Sequence, residues 1–327
     1  MKKWEQTHER QIMSDAGFYL THLRFTFSAR ELIRLPRMNK GITLRGAFGE
    51  SLRRLVCSER EASCDSCRVH SVCPYGMVFA TKVPKDARRL RLNRDIPRPF
   101  VIKPPLDGKE VYEPGESLRF ETVLVGKCRD LFPYVIVSFN ELGGRGIGVG
   151  RGRFDLGPVE CLDASGTPHV VMTADNEVVH TPQQEIRLEQ APEWEQDRVW
   201  VRFLTPVLLK ERGKWAQPTF GALMKRLRDR INALSYFYCG VPLEMDFRVF
   251  GKRAEEVRTV RQDMEWVEES RYSKHRGIRQ KLKGWVGEVV YQGDLQQFWP
   301  FLWLGQYIHV GKAAAFGQGW YECSGDS

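Results

Sequence analysis

The sequence contains no apolar run of about 18 residues, the length at which a membrane-spanning helix becomes the expectation, so none is predicted. Its first residues, MKKWEQTHERQIMSD, lack the apolar core of a signal peptide, and a cytoplasmic protein is expected. Acidic residues are in deficit: 41 Asp and Glu stand against 50 Lys and Arg, a net charge of +9. That balance suits an anionic partner; nucleic acid, an anionic membrane surface and solubility alone are all compatible with it. Histidine is scarce as well, with 7 in 327 residues and none between 41 and 57.

Two nucleotide-binding signatures are also missing. The glycine-dense stretches Gly143–Phe154 (GGRGIGVGRGRF) and Gly305–Tyr321 (GQYIHVGKAAAFGQGWY) each follow a helix-like run and precede a strand-like one. A dinucleotide fingerprint needs the reverse order, strand then G-x-G-x-x-G then helix. Around Lys312 the phosphate-loop template fails too, because Gly305 stands one residue too far from the Gly311–Lys312 pair. Ala313 also replaces the hydroxyl residue that would hold magnesium.

What is present is an ordinary globular composition, 42% hydrophobic and 28% charged, with length enough for two domains. Residues 18–27 alternate as a strand, and Leu44, Phe48, Leu52 and Leu55 recur at helical spacing. Strand-like runs follow at Phe100–Lys103 and Ser117–Val125, then a helix from Leu131 with Pro133 in its first turn, then the strand RFDLGPVECL. This order, βαββαβ, is that of a ferredoxin-like fold. It then starts again: a strand at Arg198–Lys210, a helix over Phe220–Leu234, strands at Glu265–Ser273 and Gly284–Tyr291, a helix over Leu295–Ile308 and a closing strand. The reading is therefore an α+β chain of two tandem ferredoxin-like domains, 1–165 and 197–327, joined by a polar linker at 166–196.

Three groups of residues suggest chemistry. Cys57, Cys64, Cys67 and Cys73 crowd into one segment of the first domain, around a C-x2-C knuckle. Four thiols suit a closed, structural zinc site in a small insertion; an iron–sulfur cluster or four ordinary loop cysteines are the alternatives. The glycine loops carry Arg145, Arg151 and Arg153 in one case and His309 and Lys312 in the other. Without a Cβ, Gly311, Gly317 and Gly319 allow close approach of a ligand, and the cations suit phosphate oxygens; tight connections with a packing role are the plainer alternative. Finally, RYSKHRGIRQKLKGW sets Arg271, His275 and Arg279 beside Tyr272, a mixture suited to single-stranded or looped RNA, or to a solvated hairpin.

Taken together, Arg45-Gly46-Ala47-Phe48-Gly49, the cysteine segment ending CPYGMVF, LGGRGIGVGRGRF, RYSKHRGIRQ with GWVGEVVY, and HVGKAAAFGQGWY resemble the CRISPR repeat-processing endoribonucleases of the RAMP superfamily, in their cysteine-containing branch. The resemblance runs through nearly the whole chain and implies two RRM-type domains that hold repeat RNA and cut the precursor transcript. No metal is implied in the reaction: a ribose 2′-OH attacks the adjacent phosphate, leaving a 2′,3′-cyclic phosphate and a 5′-OH. Other subunits of a CRISPR effector complex are implied as partners, and a non-catalytic RNA-binding subunit of such a complex is the alternative. Many members carry a catalytic histidine on or beside the first helix, which this sequence lacks. The resemblance therefore points to His309 as general base or acid, with Lys312 and Arg45 stabilising the phosphorane and Tyr272 and His275 as lesser candidates.

Overall fold

A computed structural model describes residues 17–38, 40–59, 63–84, 87, 96–175, 178–211, 213–273 and 278–325, with the side chains of 269–281 outside the description. The chain divides into two units, one of residues 18–187 with 233–240, the other of residues 188–232 with 241–327. Both are α+β and built on antiparallel sheets.

In the first unit, strand β1 (Tyr19–Ala29) lies at the centre because its odd positions, Leu23, Phe25 and Phe27, are all apolar and buried. Helix α1 (Lys40–Val56) sets Leu44, Phe48 and Leu52 four residues apart, so they form one stripe against that face. A five-residue helix, α2 (Pro74–Val78), leads to β2 (Phe100–Lys103) and β3 (Ser117–Val125). Helix α3 (Phe132–Arg145) has Pro133 in its first turn, where no intrahelical N–H is needed. Its Val135, Phe139 and Leu142 complete the core. Strands β4 (Phe154–Leu162) and β5 (Pro168–Met172) finish the sheet, whose order is β2-β3-β1-β4-β5.

The polar stretch 166–196, expected as a linker, contributes to this sheet. Val171 and Met172 of β5 are buried in the core cluster, and Ile186–Arg187 pairs with Tyr19 and Leu20 of β1. Two buried apolar residues at one strand end suffice to hold an otherwise polar edge.

The second unit has the sheet order β7-β8-β6-β9, formed by β6 (Arg198–Val207), the long hairpin β7 (Arg258–Ser273) and β8 (Ile278–Gln292), and β9 (Tyr321–Ser324). Helix α4 (Phe220–Leu234) and helix α6 (Trp299–Ile308) cover one face, with Phe220 contacting both Tyr291 and Phe298 edge-on. Helix α6 begins four residues later than expected, at the point where Pro300 can occupy the first turn. A further helix, α5 (Phe247–Glu256), was not anticipated; its signal is Asp246, whose side chain accepts from the backbone N–H groups of Arg248 and Val249 at 2.8 and 3.0 Å. The strand expected over Arg198–Lys210 breaks at Leu208, and Leu209–Glu211 pairs instead with Lys214–Ala216 as a separate hairpin. No helix among the described residues is long and apolar enough to cross a membrane.

Candidate functional site

The first glycine loop begins where α3 ends. Gly146, Gly148 and Gly150 all have φ between 75° and 84°, a region closed to most side chains. A Cβ on Gly146 would collide with the carbonyl of Arg151, and one on Gly148 with the carbonyl of Arg34. The loop is pinned by the Val149 N–H, which donates to Arg34 O at 2.9 Å. Gly146 and Gly148 therefore serve close approach to the protein's own backbone, whereas Gly150 has open space around it and serves its positive φ alone. The loop's arginines differ from one another. Arg145 donates to Glu50 at 2.5 Å, and Arg153 forks onto Glu31 at 2.5 and 2.8 Å. These bonds hold both carboxyls below the usual glutamate range. Arg151 is exposed, at φ 55°. Exposed ion pairs of this kind are cheap to open, so all three guanidiniums stay within reach of a stronger anion.

The second loop follows α6 directly. His309 takes up φ 60° and stacks on Trp320, ring centroids 5.7 Å apart and planes within 9°. It has no exposed surface. The imidazole expected to transfer a proton is thus enclosed by the chain itself. The glycines again answer to the chain itself. A Cβ on Gly311 would lie 2.6 Å from Leu208 O, and one on Gly319 would collide with the carbonyl of Val310. Gly317, at φ 86°, has its carbonyl bonded by Thr205 Oγ1 at 2.7 Å. Lys312 is the loop's exposed cation, its Nζ 5.5 Å from the centroid of Trp215.

Alanine substitutions at two of these glycines should have graded effects. Gly319→Ala combines a positive φ with a backbone collision and should cost about 2–4 kcal/mol of stability. Gly150→Ala has the same sign of φ but open space around it, and should cost about 1 kcal/mol. Urea denaturation of the two variants measures the difference; equal losses would mean that strain, not packing, explains the glycines.

Arg45 lies in the first unit, half-buried on α1, its guanidinium carbon 5.0 Å from the centroid of Phe79 and 5.9 Å from that of Phe100. In this position it covers the aromatic edge of the core. On the β7–β8 hairpin, Tyr272 pairs with Arg279 and Arg271 with Gln280 in register. The side chains of Arg271, Tyr272 and Arg279, and His275 altogether, lie outside the described residues.

The cysteines do not form the expected ligand set. Cys57 follows the end of α1, Cys73 precedes α2, and Cys64 and Cys67 lie on the turns between. Burial raises the Cys64 thiol pKa, Arg53 opposes the shift, and the neighbouring Cys57, Cys73 and Cys67 add to it. Among the described residues, however, no three of His, Cys, Asp and Glu gather closely enough to hold a metal ion. His70, in the same segment, is engaged with Ala80 O at 2.7 Å. As placed, the thiols do not fit zinc or an iron–sulfur cluster, because spacing along the chain sets proximity but not convergence.

Two charged groups had little signal in the sequence. On the sheet face of the first unit opposite α1 and α3, buried His22 bonds to Glu121 at 2.8 Å, and Lys103 and Arg24 reach the same carboxylate at 3.4 Å. Lys40, 1% exposed at the start of α1, is paired with Asp107, which also accepts from Tyr112 Oη at 2.7 Å. The alternation of β1 does place His22 and Arg24 on one face, but their partner lies almost a hundred residues away.

Residues 201–321 match the family model of the CRISPR-associated endoribonuclease Cas6. Residues 18–184, more than half of the chain, match the AF_1859 N-terminal domain model. A protein of Archaeoglobus fulgidus described as uncharacterized is 30% identical over 107 residues, which are 33% of this chain and 35% of that protein. The chain thus spans about a third of the length of that curated relative. Among solved structures, the fold is similar to that of a Cas6 product complex at 16% identity and a TM-score of 0.55, covering 93% of this chain and 100% of the other. It is similar to Thermus thermophilus Cas6 at 14% identity and a TM-score of 0.52, covering 94% and 99%. It is also similar to a chain of a partial Cas6-RT-Cas1–Cas2 complex at 14% identity and a TM-score of 0.55, covering 96% and 47%. The chain therefore belongs to the AF_1859 N-terminal domain family, and its residues 201–321 match the Cas6 endoribonuclease model.

Proposed function

We propose that the protein binds CRISPR repeat RNA and cuts the precursor transcript within its repeats. The observation that carries this reading is the Cas6 family match over 201–321, which takes in the second glycine loop and the basic hairpin. The two units are read as tandem ferredoxin-like domains. In support, the sheet orders β2-β3-β1-β4 and β7-β8-β6-β9 are the same order in successive strands, with all neighbours antiparallel, as a split βαβ unit requires.

The proposed reaction is attack of the ribose 2′-OH on its own phosphate, giving a 2′,3′-cyclic phosphate and a 5′-OH. The charge that develops on the phosphate needs cations held in place before the reaction. Lys312 on the second loop suits that role, and Arg151 suits a phosphate along the RNA backbone. Arg45 would first have to leave its aromatic contacts. His309 enters as the residue that shapes the loop bearing Lys312, through its stack on Trp320; Tyr272 and His275 are the remaining candidates for proton transfer. The enclosed His309 and the absence of histidine from α1 favour a second reading, a non-catalytic RNA-binding subunit of a CRISPR effector complex.

Incubating the full chain with repeat RNA in EDTA separates the two. The expected result is one cut per repeat, with 2′,3′-cyclic phosphate and 5′-OH ends. Tight binding without cleavage would leave only the non-catalytic reading, and failure to bind repeat RNA would overturn both.

A further inference from the structure

Trp215 is a large apolar side chain left in solvent on the short hairpin after β6. It is 42% exposed, and two lysines lie over its ring. Lys210, its cross-strand partner, places Nζ 4.9 Å from the indole centroid, and Lys312 places its own at 5.5 Å. Both lysines are exposed.

The arrangement is fixed from below. Leu209, between Leu208 and Lys210, is 1% exposed and holds the first strand of the hairpin to the core. The Lys312 N–H donates to Leu208 O at 3.0 Å, and Gly311 packs against that same carbonyl. The second glycine loop is thus tied to the root of the hairpin. Two cations are brought to one aromatic ring by segments about a hundred residues apart.

Placing two ammonium groups beside one ring costs Coulomb energy that an anion between them would recover. A solvent-exposed indole with two ammonium groups over its ring matches an unpaired nucleotide, whose base takes the ring face from a flexible lysine while its flanking phosphates hold the displaced ammonium groups. A base inside a duplex is already stacked on both faces and cannot make this contact. We infer that Trp215, with Lys210 and Lys312, is a stacking platform for one unpaired nucleotide of single-stranded RNA. This rests on the RNA-binding reading and adds a residue and a contact type to it.

The experiment measures affinity of the full chain, by fluorescence anisotropy, for an oligouridylate of about 10 nucleotides and for an abasic oligoribonucleotide of equal length. Trp215→Ala should weaken oligouridylate binding about 10-fold, the effect of losing one stacked base, and leave abasic binding unchanged. Trp215→Phe should stay within about 3-fold of wild type, because it keeps a π-face. The double variant Lys210→Met/Lys312→Met should weaken both ligands and flatten the salt dependence by a slope of roughly 1.4, two phosphate contacts on a single strand. If wild-type protein binds oligouridylate and Trp215→Ala binds it equally well, or loses abasic binding to the same extent, the platform is overturned while the RNA reading stands. If wild-type protein binds neither oligouridylate nor repeat RNA, both fail together.

Discussion

Glu121→Ala should destabilise the protein by about 3–5 kcal/mol, the usual consequence of removing one partner from a buried ionic group. The carboxylate accepts from His22 at 2.8 Å and from Arg24 at 3.4 Å, and stands 3.4 Å from Lys103 Nζ. Lys103 is only 8% exposed, so losing Glu121 removes a countercharge from a largely buried ammonium. Glu121→Gln keeps the shape and one acceptor and should cost clearly less. The same cluster makes stability depend on pH. Burial keeps the His22 imidazole neutral below its ordinary pKa of 6.5; Lys103 and Arg24 act in the same direction, and the Glu121 bond opposes them. Burial would raise the Glu121 carboxyl, but the His22 hydrogen bond, with Lys103 and Arg24, holds it well below its ordinary 4.5. In both groups the unfolded chain binds protons that the folded one does not, so stability rises with pH. It is complete above about pH 6.5, falls first as unfolded His22 takes up its proton, and falls again below about pH 4.5 as unfolded Glu121 does. Urea midpoints at pH 7.5 and 5.5 check the sign; a midpoint that rises on acidification would contradict it.

Phe139→Ala should cost about 3–5 kcal/mol as well, through a cavity in place of a lost charge partner. Phe139 has no exposed surface and is the hub of an aromatic cluster, with Phe25 at 5.0 Å, Phe120 at 5.1 Å, Phe48 at 5.2 Å and Phe27 at 5.6 Å between ring centroids. Those four rings come from α1 and two strands, so neighbours on different elements would all have to move to refill the space. Phe139→Leu restores most of the volume and should cost about 1.5 kcal/mol or less. Denaturant unfolding of both variants is the measurement, and a loss under about 1 kcal/mol for the alanine would mean that the cluster collapses freely around the gap.

Local pattern made the secondary elements of the core legible. The four-residue spacing of Leu44, Phe48 and Leu52, the alternation in β1, and the runs Phe100–Lys103 and Ser117–Val125 each carry their own periodicity, and periodicity belongs to neighbours in sequence. The positions of the glycine loops were legible for the same reason. Their purpose was not. Only the folded chain sets Gly148 against Arg34 and Gly311 against Leu208, which makes these glycines answers to backbone crowding rather than openings for a ligand. Tertiary structure alone decided which charges are spent internally: Arg145 on Glu50, Arg153 on Glu31, His22 on Glu121, pairs separated by 95, 122 and 99 residues. It enclosed His309, which the sequence singles out for proton transfer, against Trp320, and it left Trp215, to which the sequence draws no attention, in solvent beside two lysines. Residue type and local period are properties of a segment, whereas burial and partnership belong to contacts that close only when distant segments share one core.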